Sequence, residues 1–247
     1  MASEDWTEEQ TAGGWIFRPS GVPPGFLVAF SGRGAAPIGE PSPTAFLARR
    51  FARSLAMDGL PVVRAIQVHG RRAVTVRDRP GPGEVLDAGR CDILATGQTG
   101  VALVVQTADC VPIVLAGARS IGVVHAGWRG SAENAAAAAV SALSALGEAA
   151  SSLRAFLGPS IGACCYEVGG EVAARFAGEF AARSGGGRFR LNLAAVNRAQ
   201  LQSSGVPARH ITAHPACTRC GGDRFASYRR DGAAAGRMIA LAARLDP

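Results

Sequence analysis

At 247 residues, with 48% hydrophobic and 18% charged side chains, the chain can bury one sizeable core and has an ordinary globular composition. No apolar run approaches the roughly 20 residues that span a bilayer, and the acidic opening Met1-Ala2-Ser3-Glu4-Asp5-Trp6 lacks the apolar stretch of a secretory signal, so a cytoplasmic protein without membrane attachment is expected. The net charge of +7 comes from Arg without any Lys, but no basic run marks a nucleic-acid surface; scattered Arg suits a small anionic substrate bound bidentately.

Residues 1–14 read as a flexible N-terminal arm, and residues 15–247 as a single catalytic domain. After the turn-rich stretch Pro19 to Gly25, a strand is expected over Phe26–Phe30, then a loop carrying Arg33 through Gly34-Ala35-Ala36-Pro37. A helix follows from about Thr44 to Met57, with Leu47, Phe51 and Leu55 on one side. Strands over Val62–Val68 and Ala73–Val76 flank His69, and the Pro/Gly-rich stretch Asp78–Arg90 reads as irregular. Short buried strands over Val101–Gln106 and Pro112–Leu115 flank Asp109-Cys110, and Ile121–Val124 delivers His125. An Ala-rich helix is expected from Ser131 to Leu146, ended by Gly147. Further on come a strand at Arg154–Leu157, helices over Gly170–Ala182 and Leu193–Ser203, and a final strand near Met238–Leu241. Strands and helices alternate without a break in composition, which points to one α/β domain.

His69, Cys110 and His125 each close or follow a short apolar run. A Cys and two His at strand ends would leave a fourth metal position open, the pattern of a catalytic zinc site, although each could equally be a packed core residue. The six cysteines, without an export signal, argue for reduced thiols. His210, His214, Cys217 and Cys220 form a compact HxxxH-then-CxxC arrangement, a second metal candidate interrupted by Pro215. The adjacent Cys164 and Cys165 read as packing residues.

Six segments occur in order: Gln67-Val68-His69-Gly70, Thr107-Ala108-Asp109-Cys110-Val111-Pro112, Val124-His125-Ala126-Gly127-Trp128-Arg129-Gly130, Leu157-Gly158-Pro159-Ser160-Ile161-Gly162, Cys164-Cys165-Tyr166-Glu167-Val168 and Ser227-Tyr228-Arg229-Arg230-Asp231-Gly232. Over about residues 26–241 this succession resembles the laccase-domain, or polyphenol oxidoreductase, family, which includes purine nucleoside-metabolising enzymes and the peptidoglycan editing factor. The resemblance implies a compact α/β domain of mixed sheets packed together with helices outside, in α/β/β/α-like layers. It also implies a zinc held by His69, Cys110 and His125, phosphorolysis of adenosine, inosine, guanosine and methylthioadenosine, and deamination of adenosine. Copper is less expected, because a multi-copper site needs many His ligands and the chain has four. Two segments depart from the family pattern. Gly34-Ala35-Ala36-Pro37 stands where Gly-Gly-Val-Ser is usual, and Leu191-Asn192-Leu193 where Leu-Asp-Leu is usual, which puts substrate preference in question.

The expected partners are a nucleoside and phosphate, in a monomer or weak homodimer. Arg33 and Arg237, and less strongly Arg129, are the candidate phosphate holders. Asp109 could orient a ligand or shuttle a proton, or could cap a turn. Trp128 and Tyr166 could stack on a purine or pack internally. Two other classes of function stay open: a thiol hydrolase or deamidase using Cys110 with His125, or a peptidoglycan-precursor editing enzyme, and a non-catalytic zinc or small-molecule binding module.

Overall fold

The chain's apolar runs are short and rich in Val, Ile and Ala, and most of them become strands. The computed structural model describes residues 5–34 and 43–246. Its strands are β1 (Trp6–Thr11), β2 (Gly14–Pro19), β3 (Phe26–Ser31), β4 (Val62–Ile66), β5 (Ala73–Thr75), β6 (Val85–Arg90), β7 (Ile93–Thr96) and β8 (Val101–Thr107). Then follow β9 (Val111–Ala116), β10 (Ile121–Ala126), β11 (Arg154–Leu157), β12 (Glu167–Val168), β13 (Ala181–Gly185), β14 (Arg188–Leu191), β15 (Ile211–Ala213) and β16 (Met238–Arg244). The α-helices are short: α1 (Pro43–Ser54), α2 (Trp128–Ala132), α3 (Ala135–Ser144), α4 (Gly170–Ala173), α5 (Leu193–Ser203) and α6 (Tyr228–Asp231).

Two large mixed sheets carry the fold. One has seven strands in the order β1-β2-β3-β16-β8-β4-β6, the other six in the order β15-β11-β9-β10-β7-β5, and β12-β14-β13 form a small third sheet. Side chains alternate between faces along a strand, so each central strand feeds two apolar layers. On β8, Leu103 and Val105 face the second sheet, while Ala102 and Val104 face α1. On β9, Val114 and Ala116 enter the layer between the sheets, while Ile113 and Leu115 meet the layer built with α3 and α5. The result is a single α/β domain in the order α1, seven-stranded sheet, six-stranded sheet, then α3 with α5.

Several expectations are corrected. Residues 6–11 are not a loose arm: β1 pairs in register with β2 from Trp6–Pro19 to Thr11–Gly14, and Trp6 is buried against Phe30 and His214. Within Asp78–Arg90, the last six residues are strand β6, laid parallel along β4. The Ala-rich helix is broken into α2 and α3 because Asn134, at φ 61, is left-handed. The expected helix over Gly170–Ala182 stops after one turn at Ala173, and Ala181 begins β13. The segment Ala35-Ala36-Pro37 lies outside the described residues.

A buried carboxylate fastens the β9–β10 turn. Glu148 accepts hydrogen bonds from the backbone N–H groups of Ala118 (2.9 Å) and Arg119 (2.7 Å) and from the Ser120 hydroxyl (3.0 Å). Burial opposes its ionisation, but these donors outweigh burial and hold its pKa below the usual value. Glu148→Gln turns an amide group toward one of these donors, and should lower the unfolding free energy by about 1–3 kcal/mol at neutral pH. A depressed carboxylate stabilises fully above its unfolded pKa and loses that contribution as pH falls through its folded pKa. Urea unfolding curves of the two proteins should therefore differ at neutral pH and converge in acid, below about pH 4.

Candidate metal centre

Sheet register brings the site together. The chain between β4 and β5 leaves the seven-stranded sheet for the six-stranded one, and so does the chain between β8 and β9. His69 sits on the first crossing and Cys110 on the second. Within the six-stranded sheet, β10 pairs antiparallel with β9, setting His125 opposite Pro112 and Ala126 opposite Val111, so Cys110 emerges beside His125. On its other edge β10 pairs with β7, Val124 opposite Ile93, so Asp92 stands next to His125 and its carbonyl accepts the His125 N–H at 2.8 Å. By strand alternation His125 shares the face of Ile121 and Val123 and opens toward the seam between the sheets.

The ligand atoms of His69, Cys110 and His125 all lie within 4.8 Å of one another. The His69 and His125 rings meet edge to face with centroids 4.7 Å apart. Exposure grades from exposed His69 through half-buried Cys110 to buried His125, which leaves one side of the cluster open.

Asp92, fully buried, organises two of these three groups. Its Oδ1 meets His125 Nδ1 at 2.8 Å, leaving Nε2 as the nitrogen free to ligate. The same carboxylate accepts the backbone N–H groups of Val68 (3.2 Å), His69 (2.9 Å) and Gly70 (2.8 Å). Three successive N–H groups converging on an anion require a left-handed residue, and His69 adopts φ 63. A side chain in that region costs about 1–2 kcal/mol, which the carboxylate offsets. Burial works against ionisation of Asp92, but His125 and the N–H groups of Gly70 and Val68 lower its pKa.

The thiol and the imidazole beside it shift in opposite directions. Burial disfavours a Cys110 thiolate, yet His125 and His69 outweigh it and bring the thiol down to about 6. Burial likewise disfavours a charged His125, but the Cys110 thiolate and Asp92 raise it to about 9. Without metal the site is thus a thiolate–imidazolium pair between those values. Two imidazoles and a thiolate around one open side form a donor set that suits zinc.

Two glycines of the His-Ala-Gly-Trp-Arg-Gly segment are explained by contact. A Cβ on Gly127 would come 2.9 Å from Cys110 Sγ and 3.3 Å from a His69 ring carbon, and one on Gly130 would come 2.7 Å from the Gly70 carbonyl oxygen. Neither position has room for a side chain while α2 packs over the cluster.

The open side faces a cavity of about 450 Å³ lined by Gln67, Gln106, Trp128, Tyr166, Tyr228 and three arginines, Arg129, Arg229 and Arg237. A larger recess of about 570 Å³ beside α1 is lined by no His or Cys. Arg129 stacks on Trp128 at 4.3 Å, and Arg229 on Tyr166 at 5.2 Å while donating to the Glu167 carbonyl. Of the candidate phosphate holders, Arg237 and Arg129 reach the cavity. Arg33 lines a neighbouring groove instead, its guanidinium 3.6 Å from Asp231 and 3.9 Å from Asp223. Asp109 serves the wall: at φ 89, it accepts the Thr218 hydroxyl and the Arg229 N–H, each at 2.7 Å. Asn192 accepts from the Ala195 N–H at 3.0 Å as the N-cap of α5, a role Asp would fill equally, and does not line the cavity. His214 is packed among Trp6, Phe17 and Phe225, so the HxxxH half of the second metal candidate is not joined to its cysteines.

Asp92 and Arg229 escaped the sequence reading. An acidic residue just before an apolar run was the signal for Asp92, because a ligating His usually has a carboxylate or carbonyl on its second nitrogen. Arg229 stands in the segment Ser227-Tyr228-Arg229-Arg230-Asp231-Gly232, but nothing in that segment points to the cavity.

A family model described as multi-copper polyphenol oxidoreductase laccase matches residues 43–244. The chain is 38% identical over 221 residues to a Streptomyces griseus protein named purine nucleoside phosphorylase ORF3, covering 83% of this chain and 88% of that one. It is also 38% identical over 157 residues, 60% of each chain, to a protein of an unknown prokaryote named adenosine deaminase RL5. The crystal structure of YlmD from Geobacillus stearothermophilus superposes with a TM-score of 0.84 at 30% identity, covering 97% of this chain and 99% of that one. On a match that takes in the whole six-stranded sheet and all three residues of the cluster, the chain belongs to the multi-copper polyphenol oxidoreductase laccase family.

Proposed function

We propose that the chain is a zinc-dependent purine nucleoside phosphorylase acting on adenosine, inosine, guanosine and methylthioadenosine, with adenosine deaminase activity. One observation carries this reading: the His69–Cys110–His125 cluster opens onto a cavity whose wall combines aromatic faces with guanidinium groups. A purine needs flat apolar faces and a phosphate needs bidentate cations, and the two needs coincide here. The names borne by the relatives agree with it. Zinc is favoured over a copper cluster by donor count, since the chain has four His and His214 is packed away from the site.

Bound to His69, Cys110 and His125, zinc would supply Lewis acidity and lower the pKa of water toward neutrality. The protein's own groups do the rest. Asp92 holds His125 in one tautomer and orientation. Trp128, Tyr166 and Tyr228 offer faces for the base. Arg237 and Arg129, joined by Arg229, hold phosphate as its oxygen forms a bond to the ribose carbon, the glycosidic C–N bond breaks and the purine nitrogen takes a proton. In deamination, water adds to the purine carbon that bears the amino group, and ammonia leaves.

A second reading rests on the depressed Cys110 thiol beside His125, which also suits a thiol nucleophile and its base. About one zinc on the His69 centre with iodoacetamide resistance supports the first reading. A metal-free centre, with activity destroyed by iodoacetamide, supports the second.

Incubation with adenosine should yield adenine only when phosphate is present, and inosine without it, both read by chromatography. His69→Ala should abolish both products and zinc retention at this centre. Full zinc retention there, with neither product formed by the unaltered protein, overturns the proposal. Asp92→Asn keeps the ligand set but removes the charge that orients it, so zinc affinity or turnover should fall about 10–100-fold while the product pattern is unchanged. At pH 7.5 the metal-free Cys110 is a thiolate and His125 carries a proton. Zinc binding should therefore release about one proton, from the imidazole, measured by calorimetry in buffers of different ionisation enthalpy.

A further inference from the structure

Four of the six cysteines meet at a place remote in sequence from the His69 cluster. Cys164 and Cys165 lie in the turn after β11, and Cys217 and Cys220 in the turn after β15. Their sulfurs all lie within 4.8 Å of one another, with Cys164–Cys220 at 3.6 Å and Cys165–Cys220 at 2.9 Å. Cys165 and Cys217 are half-buried against the apolar layer and Cys164 and Cys220 are exposed, so the group is anchored on one side and open to ions on the other.

We propose that Cys164, Cys165, Cys217 and Cys220 form a second metal site, a structural four-thiolate zinc centre that clamps the two turns together. Tetrahedral zinc with Zn–S bonds of about 2.3 Å sets its sulfurs roughly 3.8 Å apart, within the spread seen here. Binding takes the protons of the four thiols to solvent and needs no oxidant. The surroundings suit the negative charge that results. Arg219 lies between two of the ligands in sequence, and Arg190 donates to the Cys164 carbonyl. A Cβ on Gly162 would sit 3.2 Å from Cys217 Cβ and 3.3 Å from Cys164 Sγ, so glycine is what lets the two turns approach.

The clamp has a reason to exist. Tyr166 follows the first cysteine pair and lines the cavity. Thr218 lies inside the second pair and holds Asp109 at 2.7 Å, one residue from Cys110. Asp109 in turn holds the Arg229 N–H, and Arg229 stacks on Tyr166. The four-cysteine centre therefore closes a ring of contacts around one wall of the cavity, without contributing a group to it.

The test uses full-length protein purified under reducing conditions without chelator. Its metal content is compared with that of a Cys164→Ser, Cys220→Ser double variant, and each thiol's reaction with iodoacetamide is followed by peptide mapping. The double variant should hold about one zinc fewer per chain than the unaltered protein, whatever the loading of the His69 centre. In the unaltered protein Cys164 and Cys220 should resist alkylation despite their exposure, and become reactive once EDTA has removed the metal. Equal zinc in both proteins overturns the proposal. So does alkylation of Cys164 and Cys220 at the rate of free exposed thiols before chelation, a measurement that stands even if the variant misfolds. Recovery of the cysteines as a disulfide from the reduced preparation would overturn it too. Because the readout is resolved by residue, loss of zinc from His69 and His125 variants reports on the other centre and leaves this one standing.

Discussion

The arrangement depends first on a single buried carboxylate. Asp92 stands at the head of a strand and binds three consecutive N–H groups on one crossing and an imidazole on the neighbouring strand. An ionised carboxylate so deep would be costly unpaired, and its four donors make the charge tolerable. In satisfying Asp92, the chain is forced into the left-handed turn that presents His69, and His125 is held in the tautomer that leaves one nitrogen free. The position of the candidate metal ligands is thus a by-product of the protein's need to solvate one charge with its own backbone.

The second constraint is the seam between the two sheets. The chain passes from one sheet to the other at both His69 and Cys110, and such crossings leave irregular backbone at a sheet's end, where side chains can converge instead of alternating. Gly127 and Gly130 let α2 cover this seam closely. The aromatic and guanidinium wall of the cavity comes from segments far apart in the chain, Trp128 after β10, Tyr166 before β12, and Tyr228 and Arg229 on α6. Asp109 and Thr218 tie those segments together, so the wall's shape is set by hydrogen bonds between loops and not by the strands beneath it.

Much was legible in the residues themselves. Short continuous apolar runs identified β3, β8, β9, β10 and β11, because a strand covered on both faces leaves that trace directly. The α5 boundaries matched the expected helix, since Asn192 caps its start. The cluster residues stood out as His and Cys beside short apolar runs. Residues 6–11 misled because four exposed polar side chains disguise a strand whose one deep anchor is Trp6. The Gly170–Ala182 segment misled because its helical composition is overruled after one turn by pairing of β13 with β14.

Residue type and order determined which side chains can ligate a metal, the α/β class and the family, because these rest on local patterning and on motif succession. Only the tertiary structure decided that Asp92, not Asp109, orients the two histidines of the cluster, since that follows from the pairing of β7 with β10 across about thirty residues of chain. Likewise only folding took Arg33 out of the cavity and brought Arg229 into it, and it separated His214 from Cys217 and Cys220 while joining those cysteines to Cys164 and Cys165. Spacing along the chain sets what short loops can do. Contacts between turns more than fifty residues apart are set by how the sheets stack and register, and nothing local in the sequence encodes that.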